Sequence, residues 1–337
     1  MNYQKIYHWL HSLKYLNITK SFNFIKLLIS YILSIFKINN TKKRNLPFFV
    51  SIEPVNFCNL HCPECYTGKN SFTEQRKILA LKNYKKIIEE LKNTLLHVIL
   101  YFQGEPLLHP LLPEMIRYAH EAKIYTSLST NAQLMNEKIA EKLVLLGLDK
   151  LIVSLDGTTQ EVYETYRKGG NIKKVIETVK ILIQKKKELQ SFTPMIEIQF
   201  LVLGTNEFQM KEMKKLAKEL KVDRLVFKTA QLHNFENGHP LMPQQLRYSR
   251  YKLNKNGKYQ LKYAQPNRCW RLWSGAVVNV NGDVLPCCFD KSGKYSFGNV
   301  FQESFYQSWH STEANNFRRN ILHNRKQYEI CLNCTSH

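Results

Sequence analysis

Eight cysteines carry most of the chemistry legible in this 337-residue chain, and they gather towards its two ends. Cys58, Cys62 and Cys65 stand in the run CNLHCPEC, separated by three and then two residues. Thiolates hold iron–sulfur clusters, and a [4Fe–4S] cluster has four irons to satisfy. Three close cysteines can hold three of those irons and leave the fourth open to a small molecule that is to be reduced. The same triplet could instead be half of a zinc site, or a thiol pair beside a bystander. The other five are Cys269, the adjacent Cys287 and Cys288, and Cys331 and Cys334 in a CxxC pair. A four-thiolate cage suits zinc and iron–sulfur alike. An export signal with a cleavage site is not evident, so reduced, metal-binding thiols are expected rather than a disulfide framework.

The elements that must position these thiols alternate in type from Pro47 onward. Strands are predicted over 48–53, 97–102, 124–129, 151–155, 195–202 and 225–227, from short β-branched and aromatic runs. Helices are predicted between them over 79–91, 111–122, 139–146, 172–189 and 210–220, from apolar residues three and four apart. Such alternation implies βα units, a parallel sheet and right-handed connections. It leaves an open doubly wound sheet and a curved barrel both available.

The cysteine triplet follows the apolar run Phe48, Phe49, Val50 and Ile52, and in that setting it resembles the signature of the radical S-adenosylmethionine (radical SAM) enzymes. In that family the open iron binds the amino and carboxylate groups of S-adenosylmethionine. One electron then cleaves the ligand to methionine and a 5′-deoxyadenosyl radical that abstracts hydrogen from substrate. The resemblance implies a partial (β/α)6 barrel with its catalytic groups at the C-terminal ends of the strands. Further segments fall at those ends in the family's order. Gln103-Gly104-Glu105-Pro106 resembles the motif that holds the ligand's amino group, where a carboxylate meets an ammonium. Ser129-Thr130-Asn131 resembles the segment near the methionyl part, and Ser154-Leu155-Asp156-Gly157 the one whose serine contacts the ribose. Arg167 stands where the family often has an arginine facing the ligand's carboxylate, and Asn206-Glu207 resembles a structural pair. Two positions depart from the pattern. Gln103 replaces the first glycine, and Glu64 occupies the usual place of an adenine-side aromatic, with Tyr66 following Cys65 instead.

Residues 231–268 are expected to be a linker, with Pro240, Pro243 and Pro266 and little periodicity; His233 and His239 within it receive no role. Beyond it, 276–285 alternates around Asn281-Gly282 as a β-hairpin should. Behind a radical SAM core this segment resembles the SPASM/twitch extension, which implies an auxiliary [4Fe–4S] cluster on Cys269, Cys287, Cys331 and Cys334. Cys288 is left over, and Asp283 and Asp290 are taken as turn residues. The expected domains are an N-terminal extension (1–46), the core (47–230), the linker, and the extension (269–337).

The chain carries 49 Lys and Arg against 27 Asp and Glu, a balance that favours anionic partners or reflects a solvated lysine-rich surface. Residues 22–38 are apolar, interrupted by Asn23, Lys26, Ser30, Ser34 and Lys37 along one helical stripe, and Lys42, Lys43 and Arg44 follow. At about 17 residues the run is short for a membrane span; it is either a helix packed on the protein or an interfacial one. The resulting expectation is a cytoplasmic enzyme, with contact at the inner membrane face through 22–44 as an option. It would oxidise a peptide, a protein or a small polar molecule, drawing electrons from a donor such as flavodoxin or ferredoxin. No specific nucleic acid is predicted. A radical enzyme acting on a lipid-linked substrate is the rival within catalysis. A zinc or redox binding module is the rival outside it.

Overall fold

The computed structural model describes residues 10–38, 45–69, 75–263 and 265–335. The basic run Lys42, Lys43 and Arg44 lies outside the described residues. The core contains β1 (Phe49–Ile52), β2 (His97–Ile99), β3 (Tyr125–Thr130), β4 (Lys150–Ser154), β5 (Met195–Val202) and β6 (Arg224–Thr229), each parallel to the next. Alternation sorts their side chains. Val50, Val98, Leu128, Leu151, Ile196 and Ile198 are fully buried against the helices. The opposite face holds Ser51, His97, Ser127, Lys150 and Glu197, and it is polar. There His97 and Ser127 hydrogen-bond across 2.7 Å, and Glu197 meets Lys150 at 3.0 Å and Arg224 at 3.4 Å. A sheet with one apolar face under helices and one polar face inside is a barrel wall around a functional lumen.

The covering helices form for ordinary reasons. The helix Leu81–Leu91 buries Tyr84, Ile87, Ile88 and Leu91, one stripe at spacings of three and four. Asn136, Thr159 and Asn171 cap the helices that follow them, each side chain accepting backbone N–H groups of the first turn. The helix capped by Thr159, Gln160–Tyr166, has no counterpart in the sequence-based expectation.

The sheet does not stop at the core. Strands β9 (Gly275–Val278) and β10 (Val284–Leu285) form the expected hairpin, and β9 pairs in parallel with β1, Phe49 opposite Gly275 and Ile52 opposite Val278. One eight-stranded sheet results, in the order β10-β9-β1-β2-β3-β4-β5-β6. The fold is thus α/β, a partial barrel open between β6 and β10. The buried Glu53 at the end of β1 accepts the Val280 N–H at 3.1 Å and fixes the hairpin's height. The stretch 231–268, expected to be irregular, holds a small antiparallel pair, β7 (Tyr251–Leu253) and β8 (Tyr259–Leu261), turning through Asn256-Gly257.

Helix α1 (Ile18–Ile35) sits on the outside with an unusual orientation. Its buried residues are Lys20, Asn23, Leu27 and Ser30, so Asn23 and Ser30 of the polar stripe face the protein while Lys26 and Lys37 stay exposed. Lys20 Nζ donates to the Lys123 carbonyl at 2.5 Å, and Asn23 exchanges two hydrogen bonds with the Leu46 backbone. Tyr31 packs on Trp270 and Trp273 with ring centroids 5.2 and 5.1 Å away.

Candidate functional site

The cysteine loop leaves the C-terminal end of β1. Cys62 and Cys65 are joined by a turn, Cys65 N–H to the Cys62 carbonyl at 3.1 Å. Donors surround the sulfurs. Leu60 N–H lies 3.4 Å and Asn131 Nδ2 3.6 Å from Cys58 Sγ, and Arg167 Nη1 lies 3.8 Å from Cys62 Sγ. Burial pushes the Cys58 thiol up to about 12, and it pushes Cys62 up as well. Such thiols stay protonated on their own and lose the proton to solvent when a cation takes the sulfur.

The loop after β2 is locked to this one. Glu105 N–H donates to the Phe57 carbonyl at 2.9 Å, and Thr67 Oγ1 donates to the Gln103 carbonyl at 3.2 Å. Gly104 is needed there: a Cβ would lie 2.1 Å from the Val55 carbonyl oxygen and 2.8 Å from that of Phe57. Backbone cannot yield as a side-chain tip can. Gly104→Ala is expected to cost about 1–3 kcal/mol, as overpacking does, and to lower iron uptake; a thermal melt and an iron assay check this. Gly68 has the same function from the other side, since a Cβ there would lie 2.4 Å from the Cys62 carbonyl oxygen. The sequence reasoning passed over Gly68, although a glycine three residues after the last cysteine was visible.

Glu105 is buried and spans the gap to β3. It accepts from Thr130 Oγ1 at 2.7 Å, Asn131 N–H at 2.8 Å and Leu107 N–H at 3.1 Å. Burial raises its carboxyl above the usual range despite these donors, so a cation nearby would be welcome. Asn131 therefore links the carboxylate to the sulfur: its N–H meets Glu105 and its amide meets Cys58. Ser129 and Ser154 lie half-buried at the C-terminal ends of β3 and β4. Arg167 Nε donates to Asp156 Oδ2 at 2.5 Å, and Asn206 Nδ2 to the Asp156 carbonyl at 2.9 Å.

Tyr66 is half-buried beside Cys65. Glu64, in place of an aromatic, pairs with Lys69 at 3.1 Å and accepts both the backbone N–H of His233 at 2.6 Å and its ring nitrogen at 2.9 Å. His239 stands 3.8 Å away. Glu64 thus anchors the 231–240 stretch over the cysteine loop, a role that spacing could not reveal. Burial alone would raise its carboxyl, but the donors from His233 and Lys69 outweigh that and hold it at about 2. A depressed carboxylate stabilises the fold above its ordinary value of 4.5, and the contribution is lost as pH falls towards 2. Denaturant unfolding of Glu64→Gln should lose less stability over that interval than the parent does.

The second thiol group surrounds a small closed cavity. Cys269, Cys287, Cys331 and Cys334 line it together with Phe317 and the buried Arg325. Arg325 Nη2 donates to Cys334 Sγ at 3.2 Å. Burial pushes the Cys331 thiol up to about 11. A buried guanidinium beside four thiols suits a cage whose net charge is negative when the sulfurs are ionised. Among the described residues no three His, Cys, Asp or Glu side chains are drawn together as the ligands of one ion would be. Four cysteines lining one cavity are a donor set that an iron–sulfur cluster takes.

Beside the second thiol group lies a cavity of about 110 Å³ on the lumen side of β1, β2 and β9. Its walls include Phe49, Ser51, Tyr101, Arg271, Cys287 and Cys288. Arg271 Nη1 donates to Cys288 Sγ at 3.5 Å. Gln103, at the position of a family glycine, donates through Nε2 to the Lys291 carbonyl at 2.7 Å and so ties the motif after β2 to the C-terminal segment. Tyr101 and Arg271 carried no signal in spacing; the pairing of β9 with β1 is what brings Arg271 to this cavity.

Comparison with known proteins agrees with this geometry. Residues 52–199 match the radical SAM superfamily, and residues 269–335 match SPASM, an iron–sulfur cluster-binding domain. A tungsten-containing aldehyde ferredoxin oxidoreductase cofactor-modifying protein of Pyrococcus furiosus is 25% identical over 323 residues, 85% of this chain and 87% of that one. PqqA peptide cyclase of Bradyrhizobium diazoefficiens is 24% identical over 264 residues, 72% of this chain and 67% of that one. Others among the curated relatives match over about half of their own length. Streptococcus suis SuiB bound to S-adenosylmethionine has the same fold, with a TM-score of 0.65 at 18% identity over 86% of this chain and 71% of that one. Both domain families match in order along a single chain, and this protein is accordingly a radical SAM enzyme that carries a C-terminal SPASM domain.

Proposed function

We propose that the chain oxidatively modifies a peptide, a protein or a small polar molecule by hydrogen abstraction, with a second cluster as electron relay. The observation that carries the reading is Asn131, which ties a buried carboxylate, Glu105, to a cluster-loop sulfur, Cys58, at the C-terminal edge of the sheet. In this reading Cys58, Cys62 and Cys65 hold the catalytic [4Fe–4S] cluster, and Cys269, Cys287, Cys331 and Cys334 hold the auxiliary one. When bound and reduced, the catalytic cluster supplies the electron that splits S-adenosylmethionine into methionine and a 5′-deoxyadenosyl radical.

The chain's own residues do the positioning. Glu105 is placed for the ligand's ammonium, and Arg167, kept charged by Asp156, for its carboxylate. Ser129 and Asn131 border the methionyl part, Ser154 the ribose and Tyr66 the adenine side. Substrate would occupy the lumen cavity beside Cys287 and Cys288, whose walls are mostly apolar and where Arg271 offers a cation to an anionic group. Similarity to a peptide cyclase and to a cofactor-modifying protein supports a peptide or small-molecule substrate. The electron donor would be a small acidic carrier such as flavodoxin or ferredoxin, and the compartment the cytoplasm. The test is release of 5′-deoxyadenosine from S-adenosylmethionine by anaerobically reconstituted, reduced protein. Iron-replete protein that releases none would overturn the proposal.

A further inference from the structure

Helix α1 is amphipathic in the inverted sense. The residues turned to the protein are Lys20, Asn23, Leu27 and Ser30. The residues turned away are Ile18, Phe22, Ile25, Ile29, Ile32 and, just past the helix end, Phe36, at spacings of three and four. They form one continuous outer stripe. Ile18 is 76% exposed, Phe22 57% and Phe36 71%, far from the burial such side chains usually have. A contiguous exposed apolar face of this length marks an interaction surface.

The helix has the length and composition to cross a bilayer. Crossing, however, would tear Lys20 from the Lys123 carbonyl and Asn23 from Leu46, and would leave those polar groups in hydrocarbon. Held by its polar edge, the helix can only lie flat. Charge selects the occupant. Residues 1–52 contain eight Lys and Arg and no Asp or Glu, and Lys26 on the helix and Lys37 just past its end are exposed. A second copy of this chain would bring the same cations against these. An anionic lipid surface would complement them while taking up the isoleucines and phenylalanines.

We propose that α1 docks the enzyme flat on an anionic bilayer, its outer stripe in the acyl boundary and its polar stripe holding the catalytic body. The docking is independent of the radical chemistry. It is therefore tested on the full reconstituted chain by flotation with phosphatidylcholine vesicles, with and without phosphatidylglycerol. The expected result is co-flotation with the anionic vesicles, at least about tenfold weaker with neutral ones, as several lysines near a charged surface require. Phe22→Asp/Ile29→Asp should lose flotation while keeping parental iron content and 5′-deoxyadenosine release; the milder Phe22→Ser/Ile29→Ser should weaken it. Absence of flotation by the parent would overturn the proposal. So would undiminished flotation of both variants, or a dimer in sedimentation velocity that Phe22→Asp/Ile29→Asp splits.

Discussion

Replacing Cys58, Cys62 and Cys65 together by alanine is expected to lower the iron content of anaerobically reconstituted protein from about eight to about four per chain, as loss of one [4Fe–4S] cluster requires. Release of 5′-deoxyadenosine should vanish with it. The effect should be confined to that loop. The four cysteines proposed for the other cluster, Cys269 before β9, Cys287 after β10, and Cys331 and Cys334 near the C-terminus, line a separate cavity. The retained absorbance of the remaining cluster would report that cavity intact. Loss of all iron in the triple variant would mean that the two sites fold as one. Zinc in place of iron in the parent would remove the radical reading altogether.

The second large effect separates two adjacent cysteines. Cys287 lines the closed cavity with Cys269, Cys331 and Cys334 as well as the lumen cavity, whereas Cys288 lines the lumen cavity alone, with its sulfur on Arg271. Cys287→Ser is therefore expected to lose about half of the iron, and Cys288→Ser almost none. Both substitutions keep side-chain size, so a difference between them cannot come from packing alone. The opposite pattern, with Cys288→Ser the damaging change, would reassign the ligand. The spacing 269, 287, 331 and 334 already preferred Cys287, and of the two it is the one that lines the cavity shared with the other three thiols.

What the sequence disclosed follows from how local each signal is. The three-cysteine loop, the segments after the strands and the Asn-Gly hairpin are short-range patterns, and each lies where local chemistry placed it. The helix Phe305–Trp309 was equally local: Ser304 and Gln307 form a capping box that the sequence reading left unused. The pairing of β9 with β1 was not legible, because hydrogen bonding between distant strands leaves no mark in either segment's own periodicity. Arg271, just before β9, depends on that pairing, so it stayed hidden too. Helix α1 was legible as amphipathic but not as inverted. Periodicity says that two faces differ; it does not say which one the protein takes.

The parallel pairing of β1 with β9 also has a temporal side. During synthesis β1 is among the first strands to emerge, and one of its two neighbours follows roughly two hundred residues later. Until then its backbone on that side is an open row of donors and acceptors, carried on a segment rich in phenylalanine and valine. Exposed rows of this kind recruit other chains. The C-terminal segment is thus more than a holder for thiolates: it is the cover that ends a long interval of vulnerability, and the sheet is finished only when almost the whole chain has been made.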